Sequence, residues 1–114
     1  MVAHLVKDGT EILANLDPEK CDLMHSVLGL AGEVGELVDA VKKHTIYGKD
    51  LDLENVVEEL GDLEFFMEQF RQNLSISRSD TLQANIKKLA KRYPDFKFTN
   101  QRAIDRADKK GGAL

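Results

Sequence analysis

Apolar residues recur along most of this chain at the three-and-four spacing of a helix face. Val2, Leu5, Val6, Ile12, Leu13 and Leu16 keep that spacing, and Asp8-Gly9 interrupts it, so the pattern predicts a broken first helix. Asp17-Pro18 then supplies a capping residue followed by proline at the first helical position. Leu23, Val27, Leu30, Val34, Leu37 and Val41 follow in steps of 4, 3, 4, 3 and 4. That stripe predicts an amphipathic helix of about six or seven turns, fading over residues 43–47 and stopped by Gly48. A third helix, capped by Asp50 or Asp52, carries Leu53, Val56, Leu60, Leu63, Met67, Phe70 and Leu74. After a polar connection over 75–79, Ser79 or Asp80 caps a fourth helix with Leu82, Ile86 and Leu89, which Tyr93-Pro94 stops. Residues 95–114 are less patterned, and Gly111-Gly112 is expected to fray. There is no repeat, no low-complexity tract and no strand-like run. The expected fold is all-α, a small antiparallel bundle of four to five helices. It occupies 1–114 as a single domain, with a core over 17–94 and a partly flexible C-terminal segment over 95–114.

Composition narrows the core and the setting. Only 6% of residues are aromatic and Trp is absent, so Leu, Val, Ile and Ala must fill the interior. The single cysteine, Cys21, excludes an intrachain disulfide and a cysteine zinc finger, and suits a reducing, cytoplasmic setting. No charged leader precedes a long apolar run, and no stretch reaches the ~18 apolar residues of a membrane span. Neither a signal peptide nor a membrane partner is therefore expected. The net charge of -4 argues against a nucleic-acid partner. That average conceals a division. Residues 1–86 carry 17 acids and 7 bases, whereas residues 87–114 carry 9 bases and 3 acids. Such a chain can hold cations in one place and anions in another.

Two segments depart from an ordinary helical pattern. In Gly29-Leu30-Ala31-Gly32-Glu33-Val34-Gly35-Glu36, three glycines recur at intervals of three inside a patterned helix. Each costs roughly 1 kcal/mol relative to alanine, a cost accepted where something approaches the backbone closely; tight helix–helix packing is the ordinary explanation. Glu33 and Glu36, three apart, are neighbours on one face. Glu58-Glu59-Leu60-Gly61-Asp62 repeats the arrangement with Glu59 and Asp62, although Glu58 is also four residues from Asp62, so one of the two glutamates is a bystander. An antiparallel turn between the segments brings four carboxylates together. Such a group needs cations, and oxygen ligands alone select hard ions, Mg²⁺ first and Mn²⁺ as a substitute. The alternative is a plain charged helix flank. A di-iron bundle would need Glu-x-x-His on two helices, and none of His4, His25 and His44 has a glutamate three residues upstream.

The fourth helix carries the opposite charge. Asn85, Lys88 and Arg92 step by 3 and 4 along one face, with Lys91 beside them. Basic groups of this kind, facing a carboxylate–metal cluster, suit a polyphosphate; a solvated basic face is the alternative. His25 lies eleven residues before Glu36, on nearly the same face and roughly 16 Å away. It is too far to share a metal, and at the distance of the other end of a nucleotide.

Gly32-Glu33-Val34-Gly35-Glu36-Leu37, followed by Glu58-Glu59-Leu60-Gly61-Asp62-Leu63, resembles the MazG-like nucleoside triphosphate pyrophosphohydrolases, whose signature is Glu-x-x-Glu, a spacer, and Glu-x-x-Asp. The stretch over 85–94 resembles that family's downstream helix, and the likeness covers roughly residues 23–94. It implies an all-α fold and hydrolysis of a nucleoside triphosphate to monophosphate and pyrophosphate. It also implies that Glu33, Glu36, Glu59 and Asp62 are the catalytic Mg²⁺ ligands. Lys88 and Arg92, with Asn85 and Lys91, would then contact phosphates. A homotetramer built as a dimer of dimers is the assembly it implies, and Phe65, Phe66, Met67 and Phe70 offer more apolar surface than one face buries locally. Two other classes fit the residues: a hydrolase of a different phosphate compound, such as a phosphoribosyl-ATP type, and a non-catalytic helical module that oligomerises through its apolar faces.

Overall fold

The structure, a computed structural model, describes residues 2–110. Among them all regular structure is helical, in agreement with the all-α expectation. Contacts divide the chain into two units, residues 1–74 and 75–114.

The first unit begins with a 3₁₀ turn, Val2–Leu5, and a short helix α1, Gly9–Ala14. The break between them falls where Asp8 interrupts the apolar pattern. The Asp8 carboxylate accepts the Thr10 N–H at 2.7 Å, so this residue starts α1 rather than continuing the earlier turn. Helix α2, Pro18–Thr45, starts at Asp17, whose side chain accepts the Lys20 N–H at 2.8 Å. The Lys20 ammonium reaches back to the Asn15 carbonyl at 2.7 Å and fixes the entry of the chain. After α2 the chain turns at Gly48, whose φ of +69° suits a residue without Cβ. His44 Nδ1 donates to the Lys49 carbonyl at 2.7 Å and closes this turn. Asp52 then caps helix α3, Leu53–Asn73, accepting the Asn55 N–H at 3.1 Å.

α2 and α3 form an antiparallel hairpin. Three positions define the seam, and their numbers run in opposite directions. Asn73 Nδ2 donates to Ser26 Oγ at 3.4 Å, with Ser26 fully buried. Gly29 lies against the Phe66 ring, where a Cβ would fall inside its van der Waals envelope. Glu33 meets Glu59. The seam is sparse in apolar burial. Among the described residues Ala40 is the sole buried hydrophobic one, while Val27, Leu28, Val34 and Val38 on α2 and Val57, Leu60 and Phe65 on α3 stay exposed.

The second unit is built on helix α4, Arg78–Arg92. Its cap is Ser77, not Ser79 or Asp80, and the polar connection is correspondingly shorter. Ser77 Oγ accepts the Asp80 N–H at 3.0 Å, three residues on, which is the reach of a helix-capping hydroxyl. Tyr93 ends the helix and its ring meets Phe98, with centroids 5.8 Å apart. Thr99 caps helix α5, Asn100–Asp105, by accepting the Arg102 N–H at 3.0 Å. Arg102 pairs with Asp95 and donates to the Lys97 carbonyl at 3.0 Å, which ties the turn before α5 to that helix. Arg106 is left-handed (φ +45°) and leads into helix α6, Ala107–Lys110, which packs on α4. The expected fraying at Gly111-Gly112 lies outside the described residues.

Candidate functional site

The acidic motifs meet across the α2–α3 seam. Glu33 lies between Leu30 and Leu37 on α2, and Glu59 between Val56 and Leu63 on α3, so each carboxylate flanks the apolar stripe at the level where the helices pass. Glu33, Glu59 and Asp62 each present an oxygen within 4.8 Å of the others. Glu59 is the buried member, Glu33 is half-buried and Asp62 is exposed. Glu36 is exposed and outside this trio, yet its charge acts on Glu59. Glu58 is exposed and not among the three, so of the two adjacent glutamates it is Glu59 that faces the seam.

This geometry is costly for the carboxylates alone. The Glu59 carboxyl is pushed up to about 7. The largest cause is its hydrogen bond with the Glu33 carboxyl, followed by burial and then by the charges of Glu33, Glu36 and Asp62. Glu59 Oε2 is buried without a hydrogen-bond partner. A buried acceptor with no donor, surrounded by other acceptors, fits a hard cation better than any arrangement of these groups with one another. The residues present therefore suit a metal ion held by oxygen ligands.

The basic residues belong to the second unit. Asn85, Lys88 and Lys91 line a cavity of about 270 Å³ on α4, with Ala84, Lys87 and Asp108. Arg92 is turned to Asp108: its Nε donates to Oδ1 at 3.0 Å and its Nη2 to Oδ2 at 3.4 Å. Asp108 carried no signal in the sequence, since a helix of four residues is too short to show a pattern. Lys87 lies between the positions that step along the Asn85–Lys88–Arg92 face, so the spacing gives no sign of it. His25 is exposed on α2.

The family model for the MazG nucleotide pyrophosphohydrolase domain matches residues 22–97, well over half of the chain. The chain belongs to the MazG family. Comparisons with curated proteins and with solved structures give no match. The MazG match takes in both acidic motifs and the whole of α4, and so embraces every residue singled out above except Asp108. MazG domains are typically metal-dependent, which agrees with an acid trio able to hold an ion. No helix among the described residues is long and apolar enough to cross a membrane.

Proposed function

We propose that this MazG domain hydrolyses nucleoside or deoxynucleoside triphosphates to the monophosphate and pyrophosphate, with Mg²⁺, in the housecleaning of nucleotide pools. The observation that carries the reading is the buried, unpartnered oxygen of Glu59 inside a trio with Glu33 and Asp62. Glu33, Glu36, Glu59 and Asp62 are the proposed ligands, with Mn²⁺ as a substitute ion. When bound, the ion supplies Lewis-acid polarisation of phosphate oxygens and acidifies a water for attack on the α-phosphorus. The chain's own part is to hold the carboxylates close enough that none is stable without a positive partner, and to accept the proton that the attacking water releases. Asn85, Lys88 and Lys91 on α4, with His25 on α2, are proposed as substrate contacts, the lysines offsetting charge on the leaving pyrophosphate. Arg92, implied by the resemblance as a further contact, has its guanidinium engaged by Asp108.

The exposed apolar faces of α2 and α3 support a homotetramer, a dimer of dimers, as the working form. Grooves of about 470 Å³, along Leu37, Val38 and Val41, and about 340 Å³, along Leu16, Leu23 and Phe70, offer surface for packing between copies.

The test is incubation with a panel of ribo- and deoxynucleoside triphosphates, with Mg²⁺ and with chelator, the products resolved by ion exchange. Monophosphate plus pyrophosphate appearing with the metal alone is expected. Diphosphate plus phosphate, or no turnover on any nucleotide, would overturn the reading.

A further inference from the structure

One level of the α2–α3 seam lies a helical turn from the acid trio and depends on a single side chain. Gly29 is four residues before Glu33 on α2, and Phe66 is four residues after Asp62 on α3. Four residues rise about 6 Å and make a little over one turn, so each pair shares a helix face. Because the helices run antiparallel, the Gly29–Phe66 contact is next to the carboxylates on both helices. The contact is close: Phe66 Cδ1, Cε1 and Cζ all fall within 2.7 Å of where a Cβ on residue 29 would stand. Glycine leaves room for the ring, and any larger residue there does not.

The ring cannot yield to a methyl group by turning in place. Cζ lies on the Cβ–Cγ axis about which the ring turns, so rotation leaves it where it is. The Phe65 ring stands edge-on to it, with centroids 5.3 Å apart, and crowds its swing. A methyl group at residue 29 therefore either parts the helices or drives the ring out of the seam. Either change loosens the level next to Glu33, Glu59 and Asp62, whose oxygens lie within 4.8 Å of one another. Glu33 comes from α2 and the other two from α3, so the gap between them follows the gap between the helices. That gap bears on the size of ion the trio can hold. Mg²⁺ requires oxygens at about 2.0–2.1 Å in a near-ideal octahedron, whereas Ca²⁺ accepts about 2.3–2.6 Å in looser arrangements.

We propose that Phe66, seated on the bare backbone of Gly29, is the spacer that sets the gap between Glu33 and the Glu59–Asp62 pair, and that these two positioning residues fit the site to the smaller of the hard divalent cations. The inference rests on the proposed metal-ligand role of the carboxylates and adds to it the feature that selects ion size. A spacer and an ordinary packing contact differ in what they control. Loss of packing alone lowers the folded fraction and weakens every ion alike. A changed gap alters the ratio of Mg²⁺ affinity to Ca²⁺ affinity.

The experiment is Mn²⁺ binding to the full chain, followed by electron paramagnetic resonance with Mg²⁺ and Ca²⁺ as competitors, and circular dichroism to verify the fold of each variant. Gly29→Ala should weaken Mg²⁺ about tenfold while Ca²⁺ changes less than about threefold. Phe66→Leu removes the spacer without creating a clash and should lower the Mg²⁺-to-Ca²⁺ ratio as well, which keeps the test open if Gly29→Ala does not fold. Joining the two substitutions matches the surfaces again and should restore most of the ratio, a coupling that independent sites do not show. Gly32→Ala adds a methyl group next to Glu33 in sequence, where nothing lies within 4 Å, and should leave both affinities unchanged. An unchanged ratio in Gly29→Ala and Phe66→Leu, no recovery in the double variant, or an equal loss in Gly32→Ala overturns the spacer and leaves the ligand assignment intact. No Mn²⁺ binding by the native chain removes the ligand assignment and the spacer with it. The expected pattern without turnover of any nucleotide would remove the hydrolase reading and leave the spacer standing.

Discussion

Glu59 shows how much a single side chain decides here. In the unfolded chain its carboxyl ionises near 4.5, and in the fold near 7. Below 4.5 both states hold the proton and there is no penalty. Between those values the unfolded chain releases the proton and the folded chain keeps it, so the stability of metal-free protein falls as pH rises, and the loss is complete above about 7. Thermal unfolding in chelator from pH 4.5 to 8 should follow that course, and Glu59→Gln should flatten it. Mg²⁺ at pH 7.5 should raise Tm of the native chain by mass action and do little for Glu59→Gln. Alanine at Glu36 or Asp62 should lower turnover by about 10²–10³, as loss of a charge-stabilising group does, with helical circular dichroism unchanged. Normal turnover in both variants would remove these residues from the site. The pairing of the acids was legible in their spacing of three; which one is buried was not, because Glu58 and Glu59 differ by about 100° around the helix and the apolar stripe is too wide to separate them.

At the scale of elements, the three glycines of α2 part company. Each step of three residues falls about 60° short of a full turn, so Gly29, Gly32 and Gly35 spiral around the helix, and of the three Gly29 alone faces Phe66. Gly29→Ala should destabilise the chain by about 1–3 kcal/mol through overpacking. Gly32→Ala and Gly35→Ala meet nothing within 4 Å and should gain up to about 1 kcal/mol of helix propensity. Urea unfolding of the three variants checks this, and a loss at Gly32 or Gly35 would reveal a second copy packed against that face. The long helices were legible from end to end because their stripes run for many turns and Asp17, Asp52 and Gly48 mark their ends. α5 and α6 were not, because six and four residues hold too few turns for a period to show. Thr99 was the available signal for α5, and Ser77, three before Asp80, was the signal for the true start of α4.

For the whole molecule, the decisive quantity is how little apolar surface one copy hides. Phe65 is 64% exposed on α3, the helix that carries Glu59 and Asp62 of the acid trio. The proposed tetramer predicts a sedimentation mass four times that of the chain, and Phe65→Asp should shift it toward smaller species. A monomer at micromolar concentration would overturn that assembly. Hydropathy alone foretold an excess of apolar residues, but not where it would be left over, since that depends on how closely the helices approach at a seam kept narrow by Ser26, Gly29 and Ala40 and made polar by Glu33 and Glu59.

The closing of the α2–α3 hairpin bears on the time course of folding. The helices that carry Glu33 and Glu59 are joined by a short, capped turn over 46–52, and contacts between such sequence-adjacent helices form faster than those between distant segments. Yet the residues that meet there repel one another once ionised. The same turn that speeds the encounter therefore meets an electrostatic barrier that protons relieve in acid and that a divalent cation relieves at neutral pH. Refolding in chelator should slow as pH rises through 7, so the ion is wanted while the hairpin is still shutting and not merely after it has shut.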